Sequence, residues 1–213
     1  AAEDEYKALL KVSPNNVQGL LGIAVLYELN DNSPAALSFY EKAAETGNPV
    51  GSLANSGYWL RRNDLKKALG VIEKGVASNP EYPRLLEQRG RLALALGQKE
   101  VAIEAFKSLE QVQEGRGLPL LAGYYLGQGE SKKALDLAEK VVACKPSSAY
   151  GYGLMAYVQN TLKKHDLAEK TLKEGISNVR GNQLPLQISL ADLYFALGRP
   201  DQGKGLLERI YAK

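Results

Sequence analysis

One histidine, His165, and one cysteine, Cys144, are the chain's whole stock of imidazole and thiol. Nucleophilic catalysis needs an activated nucleophile beside a base, and a metal centre needs several ligands gathered together. His165 follows Lys163 and Lys164 at a predicted turn, while Cys144 falls late on a predicted helix, so neither arrangement is visible. The 21 glycines include no phosphate-cradling loop of the nucleotide-binding types. The expected outcome is therefore no catalytic residue, no cofactor and no metal. What remains is recognition by tyrosine and arginine, the side chains that most often dominate protein interfaces.

Composition supports that direction. The 213 residues are 45% apolar and 24% charged, the mix of a folded, water-soluble protein. A net charge of +3 is spread along the chain, and the densest basic clusters, Arg61-Arg62 with Lys66-Lys67 and Lys163-Lys164, lie at predicted turns where charge is solvated. No nucleic-acid partner is implied. A single cysteine excludes an internal disulfide, so the fold stands on packing alone. No run of apolar residues is long enough to span a bilayer, and the acidic opening Ala1-Ala2-Glu3-Asp4-Glu5-Tyr6 is no signal peptide, so direct membrane insertion is not expected. Cytoplasm and bacterial periplasm are both compatible with these features.

The elements that must carry the recognition residues repeat. Gly57-Tyr58-Trp59-Leu60 followed by Lys66-Lys67-Ala68-Leu69 returns as Gly123-Tyr124-Tyr125-Leu126 followed by Lys132-Lys133-Ala134-Leu135. Pro14, Pro80 and Pro146 recur at the same interval, and half of it, about 33 residues, is the length of one two-helix unit. Large and small residues recur at a common spacing, Leu86, Gly90, Ala93, Gly97, Ala102 and Phe106 in one unit and Leu20, Ile23, Ala24, Tyr27, Ala36 and Tyr40 in another, with the alanines and Gly90 where two antiparallel helices must approach closely and Gly97 at the turn between them. Further units run through Leu121, Ala122, Tyr125 and Ala134, through Tyr152, Ala156 and Ala168, and through Leu190, Ala191, Tyr194 and Gly198.

In these residues the chain resembles the tetratricopeptide repeat family over essentially its whole length. The resemblance implies an all-α fold, a right-handed α-solenoid of antiparallel helix hairpins forming a superhelix. It predicts one repeat domain over 1–213 with about six and a half repeats: a half repeat at 1–14, then 15–48, 49–80, 81–113, 114–146, 147–182 and 183–213. Two departures stand out. Asn55 and Ser56 occupy positions where a leucine and a small residue are expected, and residues 111–118 contain two glycines and no proline, which predicts a looser connection.

The resemblance further implies that the first helix of each hairpin lines a concave groove where a protein or peptide segment is held. By register the partner-binding side chains are Arg61, Arg84, Glu87, Arg91, Tyr150, Tyr157, Asn160 and Asp192, whereas Tyr27, Tyr125 and Tyr194 are assigned to packing. A two-carboxylate clamp for acidic tails is not carried, because Leu21 and Val25 stand at the matching early positions. The Ala- and Leu-rich, proline-closed hairpins look more like bacterial repeat proteins of secretion or exopolysaccharide assembly. The rival expectations are a homo-oligomer stacked through uncapped apolar ends and a polysaccharide-binding component using Tyr150, Tyr157 and Trp59.

Overall fold

The computed structural model describes residues 2–212, and among them it contains thirteen α-helices. Their contacts divide the chain into two compact units, one ending at Val112 and one beginning at Gln113, a division that falls within the glycine-containing segment 111–118. The first unit holds α1 (Ala2–Val12), α2 (Val17–Leu29), α3 (Ser33–Glu45), α4 (Pro49–Arg61), α5 (Leu65–Ser78), α6 (Pro83–Ala95) and α7 (Lys99–Val112). The second holds α8 (Gly117–Gly127), α9 (Ser131–Cys144), α10 (Ala149–Thr161), α11 (His165–Asn178), α12 (Leu184–Ala196) and α13 (Pro200–Tyr211). Within each unit successive helices pack on one another as hairpins, which is the all-α repeat that the sequence predicts.

Local chemistry explains where the helices start and stop. Asn16, Asn32, Asn48 and Asp64 each accept a hydrogen bond from a backbone N–H of the first turn that follows, a cap that contributes about 1 kcal/mol. Prolines in the first turn of α3, α4, α6, α12 and α13 sit where no N–H is missed. Each turn inside a hairpin reverses the chain through one residue of positive φ: Asp31, Asn63, Gly97, Gly129, Lys163 and Gly198. Glycine adopts that conformation freely, whereas lysine does so against the clash of its Cβ.

The buried residues of the first unit group into more than one hydrophobic cluster. Ala24, Ala36, Tyr40 and Tyr58 form one cluster, and Ala68, Leu69, Ile72, Leu85 and Leu92 form the next. In the second unit Tyr152, Leu172, Leu186, Leu190 and Tyr194 belong to another. Close approach of helices sets the small positions. A Cβ at Gly51 would strike the backbone carbonyl of Ala43, and one at Gly90 would strike the ring of Phe106. One helix departs from this pattern: α4 buries Ser52, Asn55 and Ser56, and neither Asn55 Oδ1 nor Ser56 Oγ has a hydrogen-bond partner.

Candidate functional site

Four of the side chains singled out from sequence lie in the second unit. Tyr150 and Tyr157, two turns apart on α10, are 60% and 62% exposed, far more than an aromatic ring used for packing. Gly153, on the same helix, lies between them in sequence and contributes no side chain. Helices α10, α11 and α12 enclose a cavity of about 290 Å³ whose lining includes Gly153, Tyr157, Asn160, Ser189 and Asp192, with Leu172 and Leu193 supplying apolar wall. The structure thus brings Tyr157, Asn160 and Asp192 together, with Tyr150 on the same helix outside the cavity. Asn160 Oδ1 is 2.7 Å from His165 Nδ1 at the start of α11, a contact that ties the amide's orientation to the next helix. Such a cavity, part apolar and part polar, suits one side chain of a bound segment.

Ser189 was not singled out from sequence, although it directly follows Ile188, which shares the exposed face of α12 with Phe195. Its hydroxyl donates to the carbonyl of Pro185 one turn back. Tyr194, assigned to packing, is buried, and its hydroxyl donates to Glu169 Oε1 at 3.1 Å. The Lys173 ammonium holds Glu169 below the usual carboxylate range, helped by the Tyr194 hydroxyl.

The remaining four lie in the first unit, and their environments differ. Arg84 is exposed at the start of α6. Arg91 pairs with Glu87 one turn earlier, Nε to Oε1 at 3.0 Å, which is an ordinary solvent-facing helix pair. Arg61 is instead committed within the chain, donating from Nε and a terminal nitrogen to both oxygens of Glu28. Arg62 adds a third donor to the same carboxylate at 3.0 Å, and the Tyr40 hydroxyl a fourth at 2.9 Å. Hydrogen bonds from Arg61 foremost, then Arg62 and Tyr40, draw the Glu28 pKa down to about 2 against the opposing effect of its burial. An arginine held this way is a structural tie between hairpins before it is a contact for anything else. Sequence reasoning placed Arg61 on the groove face but could not foresee that it would meet Glu28.

Among the described residues no group of three or more His, Cys, Asp or Glu is arranged to hold a metal ion. No helix among them is long and apolar enough to cross a membrane.

Comparison with known proteins follows the same lines. A tetratricopeptide repeat model matches residues 1–49 and 60–119, and a second tetratricopeptide repeat model matches residues 184–209. Along its whole length the chain is 25% identical, over 235 residues, to the cellulose synthase operon protein C of Xanthomonas axonopodis pv. citri (strain 306), of which it spans 15%. A tetratricopeptide repeat protein from Parabacteroides merdae shares its fold with a TM-score of 0.62 at 17% identity, over 99% of this chain and 85% of that one. MamA superposes with a TM-score of 0.59 at 18% identity, covering 76% of this chain and 91% of its own. YrrB, described as a repeat protein with an unusual peptide-binding site, gives 0.57 at 16% identity over 83% of this chain and 93% of that one. With stacked hairpins, small residues at their crossings and a repeat model matched over half its length, this chain belongs to the tetratricopeptide repeat family, whose members serve generally as protein-interaction scaffolds.

Proposed function

We propose that the chain is a non-catalytic scaffold that holds a segment of a partner protein on its first-helix faces as part of a multiprotein assembly. The observation that carries this reading is the pair of exposed rings, Tyr150 and Tyr157, on the helix whose Asn160 shares a cavity with Asp192. Tyrosine offers a large, stiff, amphipathic contact at low entropic cost, and an exposed pair two turns apart matches the spacing of anchors on an extended or helical segment. In the first unit, Arg84 and Arg91 are contact candidates of their own on α6.

The test is capture from an extract of the native source by the purified chain, beside the variant Tyr157→Ala, Asp192→Ala. A protein retained by the parent and lost at least tenfold by a variant of unchanged helicity supports the groove. Equal retention by both places the contact elsewhere.

The likeness to a cellulose synthase operon protein favours a second reading, in which the assembly makes or exports a polysaccharide and the polymer itself stacks on Tyr150 and Tyr157. Binding of cello-oligosaccharides, lost in Tyr150→Ala and Tyr157→Ala, would select that reading over the first.

A further inference from the structure

The first helices of the hairpins in the second unit, α8, α10 and α12, hold between them a single charged side chain, Asp192. Their hairpin mates α9, α11 and α13 are charged along their length. Leu184, Ile188 and Phe195 are exposed and recur on α12 at the spacing of one helix face, the face that also carries Asp192. Helix α10 lies against α12 and adds the exposed rings of Tyr150 and Tyr157. The two faces meet at the cavity that Tyr157 and Asp192 both line. Large apolar side chains left in water on two adjacent helices mark a surface kept for a partner.

Asp192 is the exception on that surface. In the first unit the carboxylates on first helices are spent within the chain, Glu28 on Arg61 and Glu87 on Arg91. Asp192 enters no ion pair among the described residues. Around it Ala156, Ala168, Leu172 and Leu193 make the cavity wall apolar. Ser189, one turn earlier, spends its hydrogen on the Pro185 carbonyl and has only lone pairs left to offer.

We propose that this cavity receives a lysine side chain from an apolar segment of a partner protein, its ammonium on Asp192 and its apolar neighbours on Tyr150, Ile188 and Phe195. The proposal rests on the groove reading above and names the occupant. Charge complementarity selects it. A segment that covers the apolar face also strips water from the carboxylate, a loss that only a cation offsets, so segments without one are rejected. The four-carbon stem of lysine suits the alanine and leucine walls. Its three ammonium donors match a lining with few acceptors, whereas the five donors of a guanidinium would leave several unpaired.

The isotope-labelled full chain is titrated with acetyl-Leu-Ala-Ala-Lys-Ala-Ala-Leu-amide and with peptides carrying norleucine or glutamate in place of the lysine. Amide shifts in nuclear magnetic resonance spectra give both the location and the affinity. The lysine peptide should shift residues of α10 and α12 saturably and bind about fivefold more tightly than the norleucine peptide, an advantage that fades at high salt. The glutamate peptide should bind most weakly. Asp192→Asn should erase the preference for lysine, and Asp192→Lys should transfer it to glutamate. Asp201→Asn, which removes a carboxylate from α13, should leave it intact. No saturable shift with the lysine peptide at millimolar concentration, equal binding of the lysine and norleucine peptides, or a lysine preference that survives Asp192→Asn would overturn the proposal. Equal binding of all three peptides, lost in Tyr157→Ala, would do so while leaving the groove reading in place. Saturable shifts confined to other helices would sink both.

Discussion

Arg61 grips Glu28 through two hydrogen bonds, Nε to Oε1 at 3.1 Å and a terminal nitrogen to Oε2 at 2.7 Å, across 33 residues of sequence. Residues so spaced occupy neighbouring hairpins, so this fork fastens the α2–α3 hairpin to α4. Arg62, whose guanidinium lies 3.6 Å from the centre of the Tyr58 ring, completes the clasp on the same carboxylate.

The clasp makes stability depend on acid. Glu28 has a folded pKa of about 2 against an ordinary value of 4.5, so its contribution is fully present above about pH 4.5 and is lost as pH falls toward 2. Because Arg61 is 53% exposed, solvent screening reduces the effect to about 2 kcal/mol or less. Glu28→Gln should lower stability at pH 7 by that amount and flatten the acid limb of the unfolding profile. Urea titrations from pH 7 to pH 2.5 check it; parallel profiles would mean the carboxylate contributes nothing.

Asn55 should behave as a residue kept at the expense of stability. Asn55→Leu removes an unpaired buried oxygen and places apolar volume beside Trp59, and an increase of about 1–2 kcal/mol is expected in chemical denaturation. A loss of stability would show that the asparagine has a partner within the fold.

The turn between α10 and α11 holds Lys163 at φ 58°, where the equivalent turns before α7, α9 and α13 use Gly97, Gly129 and Gly198. Lys163→Gly should raise the melting temperature, corresponding to about 1 kcal/mol, and Gly97→Ala should lower it by a similar amount. Thermal unfolding followed by circular dichroism reads both.

Two glycines on neighbouring helices should respond to alanine with opposite signs. At Gly51 the new methyl would meet the Ala43 carbonyl, which is backbone and cannot swing aside, so Gly51→Ala should destabilise by about 1–3 kcal/mol. At Gly70, inside α5, it would meet nothing within 4 Å, and Gly70→Ala should stabilise by about 0.5–1 kcal/mol. Equal effects at the two sites would contradict the packing of α3 on α4.

The helices, their pairing into hairpins and the family were all legible in the order of the amino acids. Those features rest on interactions among neighbours in the chain: Asn16 and Asp64 capping the turns that follow them, Gly97 and Gly198 reversing direction, small residues recurring near every 33 positions. Register alone also put Tyr150 and Tyr157 on one face of α10, since two turns return a side chain to the same side. Packing between helices was needed to bring Asn160 and Asp192 to one cavity, to spend Arg61 on Glu28, and to leave a hollow beside α3 and α5 at the polar positions of α4. Arginine and glutamate have long side chains with many rotamers, and on a helix surface each is equally at home in water. Which partner they take depends on the distance between stacked hairpins. Likewise Asn55 announces a departure from the repeat, but whether the missing volume closes up or stays open depends on how closely α3 and α5 settle onto α4, which no local rule sets.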